Sequence, residues 1–367
     1  MNIAFQISDG ILLPYKPQKG EQTVVIPTSV TRIANNAFSG CSSLTEVIIP
    51  DSVKSIGHEA FCGCCNLVSL SLSDSVTFFG ERLFYGCEKL ADKQGFVVVS
   101  GSVFDYVGAG GVVTVPSGVT TIEKLAFSGC PSLVSVTIPE GVISIEAGAF
   151  LHCERLSDVT ISGSVSAIGE DAFYACSNLR NIVLPEGVTS IGEGCFSGCS
   201  SLSNITLPKS LRTIGDGAFY GCSNLRQIAI PEGVTTIGNR TFSECRSLSD
   251  ISIPSRVTAI GSGAFSGCIR LSDVTIPAGA AAIGSWAFSG CCSLHHIVIP
   301  EGVMAIGDFA FSACSDLCSV EIPDTVTIIG GEAFSGCDTL TIYAADGSYA
   351  QVYAHENHIP FVSLDST

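Results

Sequence analysis

Residues 231–253 read Pro231-Glu-Gly-Val-Thr-Thr-Ile-Gly-Asn-Arg-Thr-Phe242-Ser-Glu-Cys245-Arg-Ser-Leu248-Ser-Asp-Ile251-Ser-Ile253, and variants of this unit fill most of the 367-residue chain. One phenylalanine marks each unit. The thirteen phenylalanines recur every 23 residues, with one step of 43: Phe38, Phe61, Phe84, Phe127, Phe150, Phe173, Phe196, Phe219, Phe242, Phe265, Phe288, Phe311 and Phe334. A fixed period of this length predicts one supersecondary unit copied and stacked into a solenoid. Such a fold favours a function that resides on an extended surface.

The unit itself predicts a strand, a turn, an extended arm and a helical turn. The alternation at its end, as in Ile251-Ser-Ile253, indicates a short strand, and stacked copies would pair into a parallel sheet. Proline followed two residues later by glycine indicates a turn. The Ala-Phe segment is compatible with one turn of helix. The apolar side chains of one unit remain exposed to solvent until neighbouring units stack on both sides of it.

The step of 43 marks an insertion after the third unit. The inserted stretch alternates apolar residues around Gly101, and the N-terminus does the same around Gly10. In both, phenylalanine precedes the glycine by five residues and tyrosine follows it by five, a pattern that predicts a β-hairpin. A helix capped by Ser348 is expected near the C-terminus. We therefore divide one continuous solenoid into an N-terminal hairpin cap, repeats 1–3, a hairpin insertion, repeats 4–13 and a C-terminal helical cap, with bounds 1–26, 27–94, 95–115, 116–345 and 346–367.

The net charge of −17 argues against partners that carry many phosphates, both nucleic acid and anionic lipid. An acidic residue follows the strand in seven units and predicts an acidic rim, either simply solvated or a docking site for basic partners: Asp51, Asp74, Glu140, Glu186, Glu232, Glu301 and Asp324.

No apolar run is long enough for a membrane span. The first ten residues lack the basic and apolar regions of a signal peptide. An intracellular location, another export route and an excerpted sequence all stay open.

Thirteen of the eighteen cysteines occupy one position of the unit: Cys41, Cys64, Cys87, Cys130, Cys153, Cys176, Cys199, Cys222, Cys245, Cys268, Cys291, Cys314 and Cys337. Stacked equivalents have parallel Cβ vectors, which disfavours disulfides. We expect small buried side chains whose thiols donate weakly to carbonyls of the neighbouring coil. The other cysteines are Cys62, Cys65, Cys195, Cys292 and Cys318. Neither the group at residues 62–65 nor Cys291-Cys292 near His295-His296 has the paired spacing of a zinc site, so no metal or other cofactor is expected.

The stretch Leu179-Arg-Asn-Ile-Val-Leu-Pro185-Glu-Gly-Val-Thr-Ser-Ile-Gly-Glu-Gly-Cys-Phe-Ser-Gly-Cys199 resembles the leucine-rich repeat of the BspA type, also called the Treponema pallidum type. The resemblance covers residues 27 to about 345. It implies an α/β repeat solenoid, a right-handed superhelix with short parallel strands on the concave face and short helical turns on the other side. Members of the family are mostly surface or secreted proteins associated with adhesion to host matrix proteins and to other cells.

In such a fold, side chains between the inward-pointing strand residues point away from the core. Varied polar side chains on a uniform scaffold can carry specificity, although sequence drift on a solvated face gives the same picture. No aromatic residue stands out among them, so we expect modest affinity. The candidate partner-binding residues on the concave face are Glu46, Asp158, Arg180, Asn181, Asn204, Arg226, Gln227, Asp250, Asp273, His295, His296 and Glu321.

The sequence contains no G-x-S-x-G, H-E-x-x-H or phosphate-loop motif. Asp250 and Asp273 would be adjacent on the face, but paired carboxylates need a cleft to shift their pKa values. We therefore expect a non-catalytic protein-binding scaffold and a monomer. The family resemblance implies surface adhesion to host matrix or cell-surface proteins. The alternative is an intracellular leucine-rich repeat adaptor for protein–protein interactions, which the many unpaired cysteines favour.

Overall fold

A computed structural model of the chain describes residues 5–73 and 75–365. Within these ranges the chain winds into stacked coils, one per repeat, and forms a parallel β-solenoid. Neighbouring coils align residue for residue: Asn181 lies opposite Asn204, and Gln227 lies opposite Asp250. Residues 1–4 and 366–367 of the two expected caps, and Asp74 of the expected acidic rim, lie outside the described residues.

The predicted strand of each unit forms one side of the coil, here called the strand face. Its strands are Thr23–Val25, Glu46–Ile48, Ser69–Ser71, Gly111–Thr114, Leu133–Ile138, Asp158–Ile161, Asn181–Val183, Asn204–Thr206, Gln227–Ala229, Asp250–Ser252, His296–Val298, Ser319–Glu321, Thr341–Ala344 and Phe361–Ser363. The expectation is wrong for one unit. Val274 and Ile276 keep the alternation and are buried, yet their segment does not pair as a strand.

The arm after the turn also pairs with its neighbours and forms a second parallel ladder on another side of the coil. Each strand has only two residues, of which the second is usually a buried isoleucine, so no periodicity in the sequence marks it. The strands are Arg32–Ile33, Ser55–Ile56, Phe78–Phe79, Thr121–Ile122, Ser144–Ile145, Ala167–Ile168, Ser190–Ile191, Thr213–Ile214, Thr236–Ile237, Ala259–Ile260, Ala282–Ile283, Ala305–Ile306 and Ile328–Ile329.

The third side, here called the turn side, carries the Ala-Phe segments, and the expectation of helical turns there is wrong. The N–H of Ala37 donates to Ala34 within its own coil, but the N–H of Phe38 donates to Ala60 of the next coil. Asn36 and Gly40 have positive φ values of 58° and 72°, and the other coils repeat this pattern. A helix requires consecutive right-handed residues, so a left-handed residue at every fourth position breaks it into separate turns.

Helices in the described part of the chain are a short 3₁₀ turn at Glu88–Leu90 and the α-helix Tyr349–Glu356. The hydroxyl of Ser348 accepts from the N–H of Gln351 at 3.2 Å, which confirms the predicted N-cap. After the helix, Phe361–Ser363 adds a final parallel strand beside Thr341–Ala344. Neither helix is long and apolar enough to cross a membrane.

The core consists of stacked rings and thiols. Phe196 and Phe219 lie 5.6 Å apart with nearly parallel planes, and this stacking repeats through each run of units. The thiol of Cys222 donates to the carbonyl of Phe196 at 3.2 Å, and the same contact recurs along the ladder, which confirms the prediction for the repeated cysteine. All eighteen cysteines are free thiols. Burial raises the pKa of Cys153 to about 12, so this thiol is unreactive.

Two antiparallel hairpins flank the first three units. The strands Ile7–Ser8 and Ile11–Leu12 form one, and Phe96–Val99 and Ser102–Tyr106 form the other. In each, the second strand joins the arm ladder of the following unit, with Leu12 opposite Ile33 and Val103 opposite Ile122. The hydrophobic core divides into two clusters at the second hairpin.

Candidate functional site

The strand face presents the predicted partner-binding residues to solvent. Ten of the twelve are exposed, while Glu46 and Glu321 are half-buried. The residues that alternate with them point inward, and Ile182 and Ile228 are among those buried in the core. Pairing with the adjacent coils fixes the backbone of most of these strands, so the outward side chains are spaced by the coil repeat.

The centre of the face is polar and partly cationic. The amide nitrogen of Asn204 donates to Oδ1 of Asn181 at 3.1 Å, across two coils. Arg180 and Arg226 lie one residue outside their strands, and both side chains are exposed. In residues 5–73 and 75–365, ion pairs join other residues: Arg82 to Glu59, Lys124 to Glu81 and Arg246 to Glu244. The cations of the face are therefore available to a partner's anions.

A groove opens beside this centre because the strands Asn204–Thr206 and Gln227–Ala229 do not pair with one another. It has a volume of about 420 Å³ and is lined by Asn204, Gln227 and Asp250 among others. Asp273 lies in the following coil, in the segment that does not pair as a strand. The adjacency of Asp250 and Asp273 on the face stays a prediction.

The two histidines lie farther along the face. Nδ1 of His296 lies 2.8 Å from the hydroxyl of Ser319, and the thiol of Cys318 donates to the carbonyl of His295 at 3.2 Å. Cys292 turns away and donates to the carbonyl of Gly290. Nowhere in the described part of the chain do three or more His, Cys, Asp or Glu side chains gather closely enough to hold a metal ion. The histidines belong to a hydrogen-bonded polar surface.

The candidate set contains no apolar residue, although several strands of the face expose one, and Val183 and Val298 are two examples. Val183 and Val298 occupy the outward position at the end of their strands and are 64% and 48% exposed. Their contact area can contribute to binding through the hydrophobic effect. The signal was present in the sequence, since an apolar residue at a position that points away from the core needs a reason other than packing.

The sequence matches the family described as the BspA type leucine rich repeat region in six copies, over residues 18–94, 99–226 and 212–341. These ranges include nearly all of the predicted repeats and part of the second hairpin, whereas both strands of the first hairpin lie before residue 18. A comparison with curated proteins yields no match.

Solved structures of bacterial leucine-rich repeat proteins resemble this chain. A leucine rich cell surface protein from Faecalibacterium prausnitzii is 31% identical over 94% of this chain and 92% of its own, with a TM-score of 0.49. A leucine-rich repeat protein from Bacteroides ovatus is 26% identical over 98% and 97%, with a TM-score of 0.55. The T. pallidum leucine rich repeat protein is 32% identical over 50% of this chain and 91% of its own, with a TM-score of 0.47.

Proposed function

We propose that this chain is a monomeric surface protein whose strand face binds partner proteins in adhesion or host interaction. The premise of the proposal is that the chain belongs to the BspA-type leucine-rich repeat family. A non-catalytic protein-binding scaffold is the general role of such repeats. The similar protein from F. prausnitzii is described as a cell surface protein, which supports the finer proposal. The concave curvature of the strand face and the right-handed superhelix stay predictions from the family.

The observation that carries the proposal is the contrast between the core and the strand face. Inward positions repeat the same apolar residues in coil after coil, whereas outward positions vary among Asn, Gln, Asp, Arg, His and Glu. The central arginines and amides, flanked by Asp158 on one side and Asp250 on the other, make a patterned surface with an apolar contribution from Val183. Complementary charge patterns set specificity and association rate.

A binding experiment with purified protein tests this assignment. Immobilised chain is exposed to extracellular-matrix proteins from host tissue, and captured proteins are measured with and without the double substitution Asp250→Lys and Asp273→Lys. We expect capture by the parent and at least a tenfold loss for the double variant, since two charge reversals place like charges against a complementary partner.

A control variant with the same change in net charge tests whether the location of the substitutions matters. The substitutions Glu301→Lys and Asp324→Lys make the same change in charge at turns outside the strand face, and both positions are exposed. Unchanged capture by this control supports the strand face. Equal losses in both variants would show that overall charge decides binding, and the strand-face assignment would fail.

An intracellular adaptor is the second candidate, and one observation favours it. Cys65 and Cys318 are exposed free thiols, and such side chains persist most readily in a reducing compartment. The same capture experiment with lysate of the producing cells tests it. Proteins captured from the lysate through the strand face, with no capture of matrix proteins, would replace adhesion by an adaptor role.

A further inference from the structure

The turn side carries an exposed aromatic pair. Trp286 and Phe309 occupy the same position in consecutive coils, two residues before the core phenylalanine. Their rings stack with centroids 4.2 Å apart and planes inclined by 15°. Trp286 is 48% exposed and is the only tryptophan of the chain. A large aromatic surface is therefore held rigidly in solvent, on a side of the coil remote from the strand face.

This pair is also unfavourable for the backbone. Trp286 and Phe309 have φ values of 64° and 56°, in the left-handed region that bulky side chains rarely adopt. Glycine fills the same position in four other coils, including Gly263. The repeat imposes this conformation on every coil, as at Asn36 and Arg240, so the backbone does not explain why large rings occupy these two coils. Core packing does not account for a half-exposed ring, so the pair points to a binding role.

In the coil before Trp286, the equivalent position has no side chain. The preceding coil has Gly263 at this position, and the coil before that has Arg240. The core rings of these three coils are 5.5 and 5.2 Å apart, so Arg240 and Trp286 lie about 10 Å apart along the axis. A Cβ added at Gly263 would meet only Arg240 Cγ at 3.4 Å and Ser266 Cβ at 3.9 Å within 4 Å. One coil without a side chain at this position therefore lies between Arg240 and Trp286, and its Gly263 position, which Arg240 borders closely, is here called the slot.

A groove of about 610 Å³ lies along the turn side, and Arg240 and Ser262 line the end of it that is near the slot. Towards its other end the groove has an acidic wall that contains Glu170, Asp171 and Glu193. Burial, and then the neighbouring carboxylates of Glu170 and Glu193, raise the pKa of Asp171. None of these acids takes part in an ion pair within the described residues, so the wall is not neutralised by the chain's own cations.

We propose that the turn side is a second binding surface, which takes an extended segment of a partner protein. An aromatic side chain of that segment enters the slot, and a lysine or arginine of the same segment reaches the acidic wall. Phe309 stacks on one face of the Trp286 ring. An aromatic side chain in the slot would stack on the other face in the same way. The guanidinium of Arg240 would contact the opposite face of the inserted ring.

The spacing defines the partner segment. Three coils separate Gly263 from Gly194, the position next to Glu193, which is roughly 14 Å along the axis. An extended chain covers this distance in about four residues. The matching segment therefore has an aromatic residue and a basic residue four positions apart. The probe is a nonapeptide of glycine and serine with phenylalanine at its centre and lysine at each end.

Fluorescence of Trp286 reports binding directly, because no other tryptophan contributes. We expect a saturable change on titration with the probe. Gly263→Asn should abolish it, since asparagine tolerates the left-handed backbone and places its side chain in the slot. Arg240→Gln should weaken binding at least about threefold by removing the cation–π contact. Replacing the probe's phenylalanine by leucine should weaken it by a similar factor, and replacing both lysines by glutamate should prevent binding.

Arg256→Gln is the matched control, because it removes the same charge from an exposed residue that belongs to neither binding surface. It should leave the titration unchanged. The proposal is overturned if no probe gives a saturable change, if the leucine peptide binds as tightly as the phenylalanine peptide, or if Gly263→Asn binds as tightly as the parent. None of these results bears on the strand face, whose test uses other residues.

Discussion

The two hairpins of this molecule share one construction. Asp9-Gly10 and Ser100-Gly101 form their turns, with φ values of 49° and 75° in the first and 46° and 76° in the second. Two consecutive positive φ values are typical of the turn that matches the twist of paired strands. Tyr15 and Tyr106 then pack against the first phenylalanine of the following unit, with ring centroids 5.5 and 5.1 Å apart. Each hairpin therefore starts a run of repeats.

The hairpins differ on the side that faces away from the repeats they start. The N-terminal hairpin has Gln6, which is exposed, and Leu13, which is half-buried. The inserted hairpin has Val97 and Phe104 in the corresponding places, and both are buried. Its pairing also shifts register beside Phe104, which indicates a β-bulge. A module with one apolar side caps an array, whereas a module with two apolar sides can join two arrays.

Phe104 is the residue that makes this joint. Its ring packs edge-on against Phe79 and Phe84, with centroids 5.1 and 5.3 Å away. It belongs to the core cluster of the first three units, while its neighbour Val103 belongs to that of the last ten. The solenoid therefore contains two runs of coils, each started by its own hairpin and each with its own core cluster.

The largest expected effect comes from Phe104→Ala compared with Leu13→Ala. Removal of the buried ring at the joint should cost about 3–5 kcal/mol through cavity formation. Removal of the half-buried leucine should cost only about 1 kcal/mol. Denaturant unfolding followed by circular dichroism measures both, and the first variant should show the short array unfolding before the long one. Equal costs would mean that the inserted hairpin is packed no better than the free one.

A smaller effect, of opposite sign, is expected at Asp105. Burial raises the pKa of its carboxyl, although the N–H groups of Tyr106 and Gly86 and the charge of Arg82 oppose the rise. A folded-state pKa above the unfolded value near 4 means that this group stabilises the fold fully at low pH, and that the stabilisation is lost as pH rises through the folded-state pKa. Asp105→Asn should therefore raise the melting temperature at pH 7.

The gain from Asp105→Asn over the parent should disappear as the pH falls from 7 to about 4, because the parent's carboxyl is then protonated. Calorimetry at several pH values measures this. The matching residue of the first hairpin is Pro14, which cannot ionise. That hairpin therefore serves as a control without a titrating group at this position. A gain that did not change with pH would show that the charge of Asp105 is not the cause.

The smallest effect is expected at the ion pair that spans the joint. Nζ of Lys124 lies 2.9 Å from the carboxylate of Glu81, 43 residues earlier, and both side chains are 46% exposed. The lysine lowers the pKa of Glu81, so the pair stabilises the fold above the ordinary pKa of glutamate and ceases to do so in acid. Lys124→Gln should cost less than about 1 kcal/mol at neutral pH, and less still in concentrated salt. A cost that was unchanged in acid or in salt would contradict an electrostatic origin.

Sequence reasoning predicted the features that repeat with every unit. The cysteine ladder, the strand face and the outward exposure of residues such as Asn181 and Asp250 follow from a side-chain alternation that the period copies. It predicted neither the two-residue arm strands nor the chain of turns around Phe38. Two residues have no measurable periodicity, and an Ala-Phe pair is as compatible with a helix as with a turn. The groove beside Asn204 depends on a ladder that fails to close between two coils, which no local pattern records.

The sequence alone determined that this protein is a stacked repeat, where its runs of units begin, and which side chains form its uniform core. These properties follow from short-range patterns repeated many times. The tertiary structure decided which parts of the molecule meet across the stack. Phe104 faces the earlier array, Lys124 reaches Glu81, and Trp286 follows a coil with glycine at position 263. Residues 20 to 43 positions apart become neighbours only after the coils have stacked.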